Sequence, residues 1–461
     1  MSDQYDVVLI LLDDMTGNML DSQGNVLLDS HGNSFMPWIK ANVIDRGMRF
    51  PNTFVEKSLC AVSRASIDAG RSYHNTGVID NNGPDGGYQA FSLIEGNVLP
   101  VWAKNSGRRV GHSGKKINGD EKIAPTHVFP GHDFWRCDID DVPNANYVGC
   151  TFYESNDGGA TGASHTYTGE YIIDTMTRQA LEFLDGMVPG QRFYLNLSPV
   201  TPHTPAVPSV TYAGAYASEP FPFFSDPSFN LNPMDQLKPS EMLALPLLTQ
   251  NDIDGQVSFW RKQCECVRSA DDMVHAVVEK LRDKNRLNNT YIIVTSDNGL
   301  AHGQLRLMGK DSTYLKVLRV PLYIRGPGIP EGVTCNKMVS NLDLAATICD
   351  MAGITVPPGY ALDGKSMRPL FADPVHADWR SAMLVASGDA VGVITKSTSG
   401  FGLTDCYAEW NSGGREYNDL VADPDQLANK INKPANQARI AALASMLASL
   451  KTCAGSTCWE P

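Results

Sequence analysis

Two stretches of the chain share one pattern. Asp6-VVLILL-Asp13-Asp14 and Tyr291-IIVTS-Asp297-Asn298 are each a short run rich in branched residues that ends in two oxygen-bearing side chains. Unbroken apolar runs of this length suit strands buried on both faces of a parallel sheet. Between Gln256 and Arg286, Val257, Trp260, Cys264, Val267, Val274, Val277 and Leu281 recur at three- and four-residue steps, which predicts a helix leading into the second run. Helix followed by strand predicts an α/β architecture, in which ligands collect beyond the carboxyl ends of the strands. Both polar pairs fall there.

A third apolar run, in Gln191-RFYLNLS, also ends in polar residues. The proline-rich stretch from about Thr201 to Pro246 has little periodicity and reads as an ordered loop region able to wall a pocket. A boundary is expected near Phe371-Ala-Asp-Pro374, separating a large domain, 1–370, from a smaller one, 371–461. Beyond it, Ala382-MLVAS and Val391-GVITK read as short strands and the segment from about Pro434 to Leu450 as a helix, giving a C-terminal α+β subdomain.

The 461 residues carry a net charge of −13, with 42% hydrophobic and 19% charged residues. That composition is globular, and its acidity argues against nucleic acid or an anionic membrane as partner. The opening apolar run is too short and wrongly flanked for a secretory signal, so the chain is read as intracellular or as having lost a signal. The ten cysteines pull the other way. Cys453 and Cys458 close a tight loop, and Cys137 with Cys150 and Cys335 with Cys349 are further candidate pairs, with connectivity open. An exported protein (secreted, periplasmic or lysosomal-type) is favoured, with the cytoplasm as the alternative. Asn288-Asn-Thr290 is a glycosylation sequon.

Asp13, Asp14, Asp297 and Asn298 offer three carboxylates and an amide oxygen, hard ligands that suit Ca2+, and Mg2+ less well. Histidine and cysteine at zinc spacings are absent. An Asp-Asp pair at one strand end is as often a turn or cap; two matching pairs favour a cation. Around them stand basic candidates. Arg64 lies one helical turn after Cys60 in SLCAVSRAS, Lys115 lies in GHSGKKING, and His203 lies in TPHTP. His302 lies in DNGLAHGQ, Lys310 in MGKDSTY, and His74 is a weaker candidate read as packed. Such groups clamp an anion like sulfate or phosphate. Cys60 taken alone reads as a buried thiol.

Taken together and in order, these pieces resemble the type I sulfatases of the alkaline-phosphatase-like superfamily, most similarly the N-acetylglucosamine-6-sulfatase branch. VVLILLDDM is similar to the N-terminal metal motif, and SLCAVSRASIDAGR to the Cys-x-Pro-Ser-Arg signature with its following turn. GKKIN, PHTP, NNTYIIVTSDNGLAHGQ, RVPLYIRGPGI, LDGKSMRPL and TCAGSTC complete the likeness, which covers most of the chain. Val62 stands where the signature has proline, Ala69 where threonine is usual, and Ile117 where many sulfatases place histidine.

The resemblance implies a large, mostly parallel mixed sheet between helices, with a smaller C-terminal antiparallel sheet and helix. It implies that Cys60 is converted by a formylglycine-generating enzyme to formylglycine, whose hydrate attacks the sulfur of a sulfate ester and then collapses to release sulfate. Ca2+ would be bound by Asp13, Asp14, Asp297, Asn298 and the modified Cys60. Arg64 would position the diol; Lys115, His203 and Lys310 would bind sulfate or protonate the leaving oxygen, with His302 as a helper. The implied substrate is a sulfated small molecule or saccharide. Two other readings stand beside it: a phosphomonoester, phosphodiester or phosphonate hydrolase of the same superfamily, and a non-catalytic binder whose Cys60 stays unmodified because of Val62.

Overall fold

The computed structural model describes residues 5–15, 26–140, 147–396 and 402–459. Among them, ten strands form one sheet, in the order Val333–Thr334, Met48–Arg49, Leu322–Arg325, Thr290–Ser296, Asp6–Leu12, Phe193–Ser198, Arg109–Gly114, Phe134–Asp138, Thr151–Ser155 and Ala163–Thr166. The five from Thr290–Ser296 to Phe134–Asp138 run parallel, and antiparallel partners flank them on both sides. The strand Asp6–Leu12 lies at the centre, wholly buried.

Its unbroken apolar run is explained by the two layers around it. Val8, Ile10 and Leu12 face a core built with the helices Ile172–Asp185 and Gln250–Asp283. Val7, Leu9 and Leu11 face the opposite core, built with the helices Cys60–Ala69, Leu99–Asn105 and Asp343–Ala352. A strand with helices on both sides has no polar face to spare. The long helix begins at Gln250, six residues before the apolar periodicity, because its first turn is polar. Its start is fixed by a capping box in which Thr249 Oγ1 accepts from the Asp252 amide and Asp252 accepts from the Thr249 amide.

The C-terminal strands Ala382–Ala386, Ala390–Lys396, Leu403–Trp410 and Arg415–Asp419 form a four-stranded antiparallel sheet in sequence order. The helix Gln437–Leu450 covers one face through Ile440, Leu443 and Leu447. Met383, Val385 and Ile394 on the other face pack against Phe54, Leu318 and Met338 of the main body. Cys453 and Cys458 are disulfide-bonded, and the other eight cysteines are free and buried. The candidate pairs 137–150 and 335–349 are therefore not formed. Cys137 and Cys150 sit in different apolar clusters, and the Cys335 thiol turns to the Pro374 carbonyl at 3.3 Å. His74 acts structurally, since its Nε2 lies 3.0 Å from the Cys453 carbonyl and ties the disulfide loop to the segment after the Cys60 helix.

Candidate active site

Leu12 pairs with Ser296 in parallel register, so the residues that follow emerge side by side. The Asp14 amide donates to Asp297 Oδ1 at 3.2 Å, and Asn298 Nδ2 donates to Asp14 Oδ1 at 2.6 Å. Asp14 adopts a left-handed φ of 60°, a conformation that aspartate tolerates better than most residues, and so turns off the strand axis into this cluster. Two more neighbouring strands end at the same place. Phe193–Ser198 delivers Ser198 and then His203, and Arg109–Gly114 delivers Lys115. Gly114 has φ +107°, and a Cβ there would lie 2.2 Å from the Ser198 carbonyl oxygen, so no other residue fits.

Cys60 opens the helix Cys60–Ala69 after an extended Leu59, which points the thiol at the sheet ends. Its Sγ lies 3.6 Å from Asp13 Oδ1 and 2.8 Å from Lys310 Nζ. Lys310 also donates to Asp14 Oδ1. One turn on, Arg64 spreads its fork across the floor: Nε donates to Asp297 Oδ2 at 2.8 Å, one terminal nitrogen to Asp13 Oδ2 at 3.3 Å, and the other to the Lys115 carbonyl at 2.9 Å and Ser198 Oγ at 3.2 Å. Lys115 Nζ donates to Asp13 Oδ2 at 2.6 Å. His203 Nδ1 lies 2.7 Å from the Thr204 carbonyl, and Nε2 lies 3.6 Å from Asp14 Oδ2. A carbonyl only accepts, so Nδ1 carries a proton and Nε2 faces the cluster. The structure thus gathers Asp13, Asp14, Cys60, Arg64, Lys115, His203, Asp297, Asn298 and Lys310.

His302 stands apart, with Nδ1 2.9 Å from Gln256 Oε1 and Nε2 buried without a partner. It stacks on Phe223 from the proline-rich stretch, with ring centroids 5.6 Å apart. Burial drives its pKa down to about 3, so it stays neutral. Sequence reasoning missed Ser198, Gln256 and Ser58, whose Oγ accepts from the Asp311 amide at 3.0 Å. Only Ser198 carried a signal, its place at the end of an apolar run.

Three carboxylates face three cationic side chains here. Burial alone would raise the Asp13 carboxyl, but Lys115, His203, Arg64 and Lys310 hold it well below the usual carboxylate range. Burial, reinforced by the Asp13 charge, raises Asp297 and pushes the Cys60 thiol up to about 12, so the unmodified residue is a neutral, unreactive thiol. The oxygens of Asp13, Asp14 and Asp297 and the amide of Asn298 are almost wholly shielded from solvent and form a hard-oxygen donor set that fits Ca2+. Ligand atoms of Asp13, Asp14, Cys60 and His203 lie within 4.8 Å of one another.

The sulfatase family profile matches residues 5–354. The chain belongs to the sulfatase family. It is an enzyme that hydrolyses sulfate esters. A second profile, for the C-terminal part of N-sulphoglucosamine sulphohydrolase, matches residues 303–453 of the sulfatase. The N-acetylglucosamine-6-sulfatase of Bos taurus is 30% identical over 92% of this chain and 80% of its own, and that of Homo sapiens 29% identical over 99% and 86%. A protein solved in complex with its substrate D-glucosamine-2-N,6-O-disulfate shares the fold at a TM-score of 0.75 and 20% identity, covering 96% of this chain and 97% of that one. The phosphonate monoester hydrolase of Agrobacterium radiobacter shares it at 0.70 and 17%, covering 97% and 95%. Among the described residues, no helix is long and apolar enough to cross a membrane.

Proposed function

We propose that this sulfatase removes sulfate from a sulfated carbohydrate, with Cys60 as the precursor of a formylglycine nucleophile and Ca2+ held by Asp13, Asp14, Asp297 and Asn298. The observation that carries the reading is the convergence of Lys310 Nζ and Asp13 Oδ1 on Cys60 Sγ inside the buried oxygen cage. When present, the modified residue supplies two oxygens on one carbon, and the cation supplies a Lewis acid.

The chain's own residues do the rest. Arg64, fixed by acceptor atoms of Asp13, Asp297, Lys115 and Ser198, holds the helix start and the metal-binding carboxylates in one frame. Lys115 and Lys310 flank Cys60 and present two cations to the sulfate oxygens of an incoming ester. His203 donates Nδ1–H to the Thr204 carbonyl, which turns Nε2 toward the cluster; with both ring nitrogens protonated, Nε2–H gives the leaving oxygen its proton. His302, neutral and packed on Phe223 and Phe259, stays outside the hydrogen-bonded cluster. Arg64, Lys115 and Lys310 balance the three carboxylates before His203 is counted, so a bound dication leaves the site net positive, which favours an anionic ester over a neutral one. The carbohydrate substrate is drawn from the N-acetylglucosamine-6-sulfatases and the glucosamine-disulfate enzyme that this chain resembles.

Ser58 through Ser66 are buried, so a formylglycine-generating enzyme that reads Cys60 to Arg64 must meet them before folding. Export to an oxidising compartment fits the disulfide Cys453–Cys458 and the exposed sequon residue Asn288. We divide the chain near residue 371 into a catalytic domain, 1–370, and a C-terminal subdomain, 371–461. The test is a peptide mass spectrum of protein made with a matching converting enzyme, where cleavage after Lys57 and Arg64 isolates the site. An aldehyde or its hydrate at Cys60, with turnover of an aryl sulfate well above that of the matching aryl phosphate, is the expected result. Unmodified cysteine throughout, with ligand binding but no turnover, would overturn it in favour of a binder, and a phosphate preference would favour a phosphoester hydrolase.

A further inference from the structure

One ion pair buried beside the cluster joins Asp68 to Lys116, side chains 6% and 4% exposed. Asp68 follows Cys60 by eight residues and Arg64 by four, so all three share one face of the helix Cys60–Ala69. Lys116 immediately follows Lys115, whose amide donates to the Ser198 carbonyl at 2.9 Å. Lys115 therefore reaches Asp13 on the metal side, while Lys116 reaches back to the helix. The one other polar tie described between helix and turn at this point is Arg64 to the Lys115 carbonyl.

The pair is buried among aromatic rings and imidazoles, with Glu95, His112 and His132 feeling the Lys116 charge. Lys116 Nζ sits 5.9 Å from the Phe91 ring and 5.8 Å from the Phe129 ring. His132, near it, is held neutral by burial and by the lysine charge, with a pKa of about 3. In such a setting the cost of desolvating two charges roughly cancels their attraction, so the pair adds little stability over two well-packed apolar side chains. What an apolar pair lacks is direction. A lysine on a carboxylate fixes distance and angle between the two elements that carry Cys60, Arg64 and Lys115.

We propose that Asp68 and Lys116 are positioning residues for sulfate-ester hydrolysis: their ion pair sets the register of the nucleophile helix against the turn that carries Lys115. This rests on the reading of Cys60 and Lys115 given above. The test is the double variant Asp68→Leu/Lys116→Met in the full chain, which removes both charges together and leaves the net charge unchanged.

The expected result is a melting temperature at or above that of the wild type, with kcat on an aryl sulfate lowered about ten-fold or more, as small misplacements of reacting groups do. KM stays within about two-fold and the pH profile does not move. A double variant with wild-type kcat would show the pair to be structural only and overturn the proposal. Amide hydrogen exchange across residues 60–69 gives a readout independent of turnover: faster exchange at unchanged melting temperature supports the proposal, and unchanged exchange overturns it. If neither protein turns over an ester, the reading of Cys60 fails and the exchange rates alone decide the role of the pair. Should the double variant not fold, Asp68→Asn, close in size, is read by the same two measurements.

Discussion

Glu56 is 4% exposed and sits in the segment that leads into the Cys60 helix. Its Oε2 accepts from Ser72 Oγ at 2.8 Å and from the Tyr73 amide at 3.1 Å. Burial pushes its carboxyl up to about 7 from an ordinary 4.5; Asp363 adds to the rise, while those two hydrogen bonds and Arg380 oppose it. A carboxyl raised in the fold binds its proton more tightly there than in the unfolded chain. Stability is therefore undiminished below pH 4.5, falls as pH rises toward 7, and stays reduced above it. The gap of about 2.5 pH units is worth roughly 3 kcal/mol. Glu56→Gln keeps an acceptor for Ser72 and Tyr73 and carries no titrating proton. It should leave stability nearly unchanged at pH 4.5 and raise it at pH 8 by up to about 3 kcal/mol, which for a chain of this size is about 3 °C in melting temperature. Thermal unfolding followed by circular dichroism at both pH values is the assay, with the variant-minus-wild-type difference as the readout. An equal difference at the two pH values would mean that the Glu56 carboxyl holds its proton no more tightly in the fold than in the unfolded chain, and the reasoning from burial would be wrong.

Cys60→Ala should abolish turnover of an aryl sulfate while leaving the circular dichroism spectrum intact; substantial activity in this variant would exclude Cys60 as the nucleophile precursor. Asp297→Ala should lose bound calcium by elemental analysis of the purified protein, and an unchanged calcium content would remove Asp297 from the ligand set. Chelation should silence the converted enzyme, with Ca2+ restoring it better than Mg2+ because the donors are flexible carboxylate and amide oxygens; preferential rescue by Mg2+ would contradict that assignment. Gly114→Ala forces a left-handed φ and a contact with the Ser198 carbonyl, so it should destabilise by about 1–3 kcal/mol or more and lower activity through Lys115; a melting temperature equal to wild type would contradict the geometry.

The chemistry at the strand ends is readable because the sheet is parallel and buried on both faces. That arrangement produces unbroken apolar runs, and the residue where each run stops is where the chain leaves the sheet. Asp13, Asp297 and Ser198 all sit at such stops; Lys115 follows Arg109–Gly114, which is no apolar run, and is legible only from its GKKIN motif. Two of the four C-terminal strands are legible, from Ala382 and Val391, because that antiparallel sheet is also covered on both faces. The long helix reads six residues short, because periodicity marks only the part of a helix that packs, and its first turn opens on the exposed Gln250 and Asn251.

Other features depend on neighbours far apart in sequence, which periodicity does not encode. The candidate disulfides at Cys137, Cys150, Cys335 and Cys349 are plausible as spacings, and fail because the fold buries those thiols where they do not meet. His302 follows a metal-motif residue by four positions, yet the aromatic side chains of Phe223 and Phe259 and the amide of Gln256 decide its surroundings. Asp68 reads from sequence as an ordinary polar position on a helix. Only the fold shows that it is buried opposite a lysine whose neighbour reaches Asp13. The same physics accounts for both outcomes: a residue that ends a strand carries its position in the local pattern, while one that works through a partner 48 positions away acquires its role only when the two elements pack.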